Sequence, residues 1–308
     1  MHDVIVIGAG MAGLACATRL KANGRDVLCL DKGRGPGGRM ATRRVEVGGE
    51  TLRFDHGAQY FTVRDEGFAA QVSDWNSQGV CAPWPAAGGD AWVGTPAMNA
   101  PVQAMSGQVR VEWGKRAIGI ERDSDAWRVS TESSTFAART LVLAMPPEQA
   151  EPLLNDHQPS FAARARDTSS QPCWAVMASF PERLPLPDIL REDGAIAWAV
   201  RDSAKPGRAS GERWVVHATH EWSAAHVDRE REDVAERLLA LLLNGLNAPP
   251  PAYLTAHRWL YALSQPIAGD PAMWDADRRL GVAGDWLIAS RVESAWVSGD
   301  RLAERILG

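Results

Sequence analysis

Lysine and cysteine are scarce in this 308-residue chain, at four each: Lys21, Lys32, Lys115 and Lys205, and Cys16, Cys29, Cys81 and Cys173. The cysteines stand far apart with no CxxC pair, so neither a disulfide framework nor a cysteine zinc site is indicated, and a reducing cytoplasm suits them. Long apolar runs are missing too. The stretch Leu238 to Leu243 is far too short to cross a bilayer, and the first apolar run carries three glycines and leaves no room for a charged leader, so no membrane association is expected. Basic runs are absent: 33 Lys and Arg are scattered among 38 Asp and Glu, for a net charge of −5, which gives no footprint for nucleic acid. No internal repeat or low-complexity linker divides the chain, and GxSxG, HExxH and Walker A patterns do not occur.

What is present begins almost at the first residue. VIVIGAGMAGLACATRL, residues 4–20, reads as an apolar strand entering a helix through a glycine turn. Gly8, Gly10 and Gly13 form GxGxxG, in which the glycines permit a tight turn, close approach to a pyrophosphate and helix packing on a sheet. Met11 and Ala12 share that turn, and the helix start offers free N–H groups and a positive dipole end to phosphates. Asp31 closes the next apolar segment, followed by Lys32, and a carboxylate there suits ribose hydroxyls. These features specify a dinucleotide but do not separate NAD from FAD.

The following stretch, GRGPGGRMATRR (33–44), places Gly37, Gly38, Arg39, Met40, Ala41 and Thr42 directly after the second strand. Two glycines allow close passage of the backbone, and Arg39 can pair with a phosphate. This GGRxxT pattern resembles the flavin amine oxidase superfamily, and an NAD dehydrogenase has no need of such a second cradle.

Residues 3–7 and 27–31 predict parallel strands around a crossover helix of about 14 residues. RRVEVGGETLRF (43–54) predicts a hairpin, 65–79 a helix, and Val109 to Met145 a meander of short strands. CWAVMASF, AIAWAV, RWVVHATH and AYLTAHRWLYAL predict further strands, with one long helix from about Ser223 to Gly245. RLGVAGDWL and a helix from about Arg291 to Leu307 repeat strand, turn and helix. The expected fold is therefore α/β: a Rossmann-type FAD-binding domain (1–72, 98–150 and 268–308) with an inserted α+β substrate domain (73–97 and 151–267), an architecture of the p-hydroxybenzoate hydroxylase type.

FDHGAQYFT (54–62), with GGRMAT before it and LVLAMPPEQA after it, resembles the renalase family, its bacterial members in particular. HRWLYAL (257–263) and the terminal VAGDW (282–286) extend the likeness over most of the chain, more loosely from about 150 to 250. The resemblance implies noncovalent FAD, and oxidation of 2- or 6-dihydro isomers of NAD(P)H by hydride transfer to flavin N5. Oxygen then reoxidises the flavin and gives hydrogen peroxide. Gly57, Ala58 and Gln59 would contact FAD, as would Gly284 and Asp285, the latter at the ribityl chain or phosphate. No cysteine follows Cys173, whereas monoamine oxidases tether FAD through a late cysteine.

Reduced flavin needs its developing anion stabilised, and a helix starting near Val292 would aim the N–H groups of Glu293, Ser294 and Ala295 at it. Gln59 and Tyr60 follow a strand expected beside the flavin, while His257, Trp259 and Tyr261 alternate on one strand and so would share a face, an aromatic wall for a nicotinamide ring. A dihydropyridine is pushed toward hydride loss by its own nitrogen, so no general base is required. His217 and His220 are read as opposite-facing strand residues, which argues against a metal. Arg191, Arg201, Arg208, Arg213 and Arg258 are candidates for the substrate's phosphates. Three alternatives remain open: an amine oxidase, a flavin-free pyridine-nucleotide dehydrogenase, and a nonredox protein that holds FAD and binds a partner.

Overall fold

The computed structural model describes residues 1–123, 125–265 and 269–308. Its first sheet carries five parallel strands in the spatial order Leu280–Val282, Thr135–Leu143, His2–Ile7, Val27–Asp31 and Arg110–Trp113. Met273–Asp275 adds an antiparallel edge, and the meander Ala117–Arg122, Trp127–Thr131 returns to Thr135–Leu143. Both ends of the sequence thus enter one sheet. Its central strands read as unbroken apolar runs because helices cover one face and the meander with helices Pro147–Leu154 and Pro159–Arg166 the other, leaving Ile5, Val6, Leu28, Leu30, Leu141 and Val142 all buried.

Helix Met11–Ala22 joins the first two strands, and the C-terminal helix Val292–Leu307 packs along it. The contact is backbone to backbone: a Cβ on Gly299 would lie 2.0 Å from the Ala12 carbonyl oxygen. The hairpin Thr42–Val47 and Glu50–Asp55 turns through Gly48 and Gly49, both with positive φ, as a two-residue turn matched to strand twist demands.

The second sheet is antiparallel throughout, in the order Ile189–Asp193, Ile196–Arg201, Glu212–Ala218, Ser169–Phe180 and Tyr253–Gln265. Alternation sorts its faces. Trp174, Val176, Trp214 and Val216 pack against helix Arg231–Leu242, whereas Met177, Val200 and Val215 join the core built on the glycine turn and the C-terminal helix.

Four points differ from expectation. The helix expected from about Ser223 to Gly245 is two, His220–Ala225 and Arg231–Leu242: Thr219 caps the first through the Trp222 N–H, and the extended backbone of Glu230 restarts the chain before the acidic first turn of the second. TFAA and TLVLAM form one strand, Thr135–Leu143, and the edge strand Ile189–Asp193 was not foreseen. His220 heads a helix rather than a strand. The boundary expected at 267 and 268 lies outside the described residues.

Gly299→Ala should destabilise the protein by ~1–3 kcal/mol, the usual cost of overpacking. Gly119→Ala, where a Cβ would meet nothing within 4 Å, should cause no such loss. Thermal melting checks both, and an unchanged melt for Gly299→Ala would refute the close helix contact.

Candidate active site

Gly8 sits at φ +103°, and a Cβ there would lie 2.2 Å from the Ala144 carbonyl oxygen; on Gly13 it would lie 1.9 Å from that of Gly8. The fold itself requires these two glycines. Gly10 is different, because a Cβ there would meet nothing within 4 Å. Its lack of a side chain keeps space open before the helix, whose Met11, Ala12 and Gly13 N–H groups have no acceptor among the described residues. Asp31 accepts the Ala9 N–H at 2.7 Å and the Gly33 N–H at 2.6 Å, which fixes its carboxylate beside that turn. Lys32 is engaged elsewhere, with Gln149 Oε1 at 3.0 Å.

The second glycine loop approaches the first: a Cβ on Gly38 would lie 3.6 Å from Gly10 Cα. Gly37 and Gly38 both have positive φ and lead into the short turn Gly38–Met40, which buries Met40 and ends at Ala41. Arg39 clasps Asp285 with both Nη atoms, one at 2.8 Å, and its carbonyl accepts the Ala58 N–H at 2.8 Å. Gly57 must be glycine, since a Cβ would lie 2.0 Å from that carbonyl oxygen. Gly284 donates its N–H to Ser298 Oγ at 2.9 Å.

At the C-terminal helix the Ala295 N–H returns to the Arg291 carbonyl, whereas the Glu293 and Ser294 N–H groups have no acceptor among the described residues. The Glu293 carboxylate instead accepts the N–H groups of Arg64 and Asp65, holding that corner against the helix start. Ser294, 1% exposed, keeps a hydroxyl with no partner. The space before Gly10, two helix starts with free N–H groups and this orphaned hydroxyl fit a bound FAD.

Facing this cradle, the second sheet presents a cross-strand row in register: Trp198, His217, Ala175 and His257. The segment His56–Tyr60 lies on it. Tyr60 meets Trp198 with ring centroids 5.6 Å apart, and His56 stacks on Trp259 at 5.1 Å and meets His257 edge-on at 4.9 Å. Trp259 Nε1 donates to the His56 carbonyl at 2.8 Å, and His217 Nε2 lies 3.2 Å from the same oxygen. Burial pushes the His56 pKa down to about 3, assisted by His257 and Arg43, and lowers His217 to about 4. Burial, Arg43 and Arg231 lower His257 to about 4 as well, so all three rings are neutral near pH 7. No cluster of three or more His, Cys, Asp or Glu suits a metal among the described residues.

Tyr261 makes no ring contact with His257 or Trp259 among the described residues. The ladder runs from Cys173–Trp259 to Gln171–Leu263, so residues 260–262 bulge opposite Pro172, which has no N–H to continue the pairing.

Beneath His56–Tyr60 lies a buried ionic knot. Asp55 accepts from Arg208 Nη2 at 2.6 Å and from the Thr42 hydroxyl at 2.6 Å, which commits Thr42 to this carboxylate. Lys205 Nζ lies 2.7 Å from Asp202 Oδ1 and donates to Gln59 Oε1 at 2.9 Å; the Gln59 amide donates to the Asp55 and Gly57 carbonyls. Lys205 and Arg208 hold the Asp55 pKa at about 2 against burial, while burial raises that of Asp202. Arg208 is therefore no phosphate ligand. Nor is Arg201, buried on Glu212 and Asp188, nor Arg213, bonded to the Ser210 and Ala209 carbonyls. Arg191 lies over the Trp198 ring, 4.5 Å from its centroid. Sequence reasoning missed His56, Trp198 and Lys205 and did not place His217 at the site; the scarcity of lysine was the available signal for Lys205.

A profile of the NAD(P)-binding Rossmann-like domain matches residues 6–72, and one of flavin containing amine oxidoreductases matches residues 85–307. Hydroxyneurosporene desaturase of Rubrivivax gelatinosus is 47% identical over 72 residues, covering 22% of this chain and only 13% of the desaturase. Cyclohexylamine oxidase of Brevibacterium oxydans IH-35A superposes with a TM-score of 0.71 at 14% identity, over 99% of this chain and 98% of that one. A triple mutant of putrescine oxidase gives 0.73 at 13% identity over the same shares, and at such identities the likeness concerns the fold. With the second profile covering most of its length, the chain belongs to the flavin containing amine oxidoreductase family, an FAD-dependent oxidoreductase.

Proposed function

We propose that this enzyme oxidises 2- or 6-dihydro isomers of NAD(P)H to NAD(P)⁺, a renalase-like activity, with oxygen as electron acceptor and hydrogen peroxide as product. FAD supplies the hydride acceptor when bound, at N5 of its ring. The chain's own residues bind and orient. The turns at Gly8–Gly13 and Gly37–Ala41, with Asp31, Arg39, Gly57, Asp285 and the start of the C-terminal helix, form the FAD site, and four buried cysteines with raised thiol pKa values favour noncovalent binding. On this reading residues 1–72, 98–150 and 268–308 make the FAD-binding domain and 73–97 with 151–267 the substrate domain, arranged as in p-hydroxybenzoate hydroxylase.

The observation that carries the substrate class is the charge of the facing wall. Its rings are aromatic or neutral imidazole, and the adjacent carboxylates Asp55 and Asp202 are engaged by Lys205 and Arg208. Arg43 and Arg231, near enough to depress His257, have no partner among the described residues. A protonated amine meets positive potential there, whereas an anionic nucleotide with a neutral, flat ring is attracted. Family membership favours the second reading, oxidation of a small amine.

Asp31→Ala should weaken FAD retention by roughly 1.5–3 kcal/mol, the value of a hydrogen bond to a charged group. Flavin occupancy after dialysis measures it, and unchanged occupancy would remove Asp31 from the site.

Under anaerobic conditions the 2- or 6-dihydro isomers should bleach the flavin far faster than monoamines or ordinary 4-dihydro NADH do. Readmitted air should restore the colour and produce peroxide. Rapid bleaching by an amine alone would overturn the proposal in favour of the second reading.

A further inference from the structure

Where the aromatic row reaches the sheet's edge, a groove of about 390 Å³ opens, lined by Trp174, Asp228, Arg229, Glu230, Arg231, His257 and Arg258. Tyr253–Gln265 is the edge strand, so His257 and Arg258, successive residues on opposite faces, both reach one groove that wraps around it. His257 also contacts His56 in the cofactor-facing row. The groove therefore begins where the proposed ring site ends.

Its charges are unequal in freedom. Arg258 lies over the Trp174 ring at 5.7 Å and donates to the Val227 carbonyl, and Arg229 pairs with Asp233 at 3.1 Å. Arg231 is exposed and has no partner among the described residues, and neither do the side chains of Asp228 and Glu230. With Arg229 neutralised by Asp233, Arg231 and Arg258 balance the two carboxylates, and Arg43 near His257 tips the site to positive. The volume falls in the range of pockets that hold small organic ligands, well above what one ion needs. Guanidinium forks match phosphate oxygens in geometry and charge.

We propose that this groove binds the phosphate groups of a nucleotide substrate, with Arg231 as the principal contact and Arg258 as the second. The proposal rests on the nucleotide reading above and deepens it, because a nicotinamide ring held near His257 and Trp259 carries its ribose and phosphates on a ring nitrogen and must send them outward. Asp228 and Glu230 limit the affinity by repulsion, which suits a product that has to leave.

The test uses FAD-loaded enzyme, so that the cofactor's own phosphate site is filled. Calorimetric titration with ADP and with inorganic pyrophosphate should show salt-sensitive binding that Arg231→Ala weakens by ~10-fold or more and Asp228→Asn tightens. In turnover, Arg231→Ala should raise KM for a phosphorylated dihydronicotinamide isomer by a similar factor with kcat unchanged, and leave KM for the corresponding phosphate-free riboside unaltered. ADP affinity equal in wild type and Arg231→Ala, or an equal rise in KM for the riboside, would overturn the proposal. If no isomer reduces the flavin while ADP binding still depends on Arg231, the substrate reading fails and the phosphate groove stands.

Discussion

Asp55 is 1% exposed, and its carboxylate gathers Thr42, the Met98 N–H and Arg208, with Lys205 Nζ 3.5 Å away. Its backbone N–H donates to Asp202, on the far side of the boundary between the two sheets. Losing one partner from such a knot leaves a buried charge uncompensated, which typically costs ~3–5 kcal/mol. The glycine cradle, the second sheet and the segment between them are held in mutual register by this group of charges.

The arrangement of Gln59 follows from it. Lys205 donates to the amide oxygen, so the NH₂ group must point at the Asp55 and Gly57 carbonyls, and those acceptors use both hydrogens. None is left for His217, 3.3 Å away, whose Nε2 proton then serves the His56 carbonyl. His217 is thereby assigned the tautomer whose Nδ1 carries the lone pair. A lysine in the connection between two strands of the second sheet thus sets the hydrogen-bonding character of the wall that a substrate meets.

Much of the cradle was legible because its constraints are local. Gly8 is required by its own positive φ, Gly13 by the nearby Gly8 carbonyl and the Gly48–Gly49 hairpin by strand twist, and Val292 marks the helix start as expected. What escaped depends on partners distant in sequence. Arg208 reads as a surface cation until Asp55, 153 residues away, is placed beside it. Period-two spacing put Tyr261 with His257 and Trp259, but the pairing shifts register opposite Pro172 on the neighbouring strand and the ring contacts stop at Trp259. The row Trp198, His217, Ala175 and His257 is spread over four strands, and no single segment displays it.

Together these features make a wall without a free carboxylate or a protonated imidazole, facing an FAD cradle and continuing into an arginine-lined groove. On the proposed reading the hydride donor enters uncharged at its ring and needs no proton removed. That reading is tested most directly by the pH dependence of anaerobic flavin reduction, followed by loss of visible absorbance. With a dihydronicotinamide isomer the rate should stay level from about pH 6 to 9, because burial holds His56, His217 and His257 down at about 3, 4 and 4. A rate that climbs about tenfold per pH unit, as when a cationic substrate must first lose a proton, would contradict it.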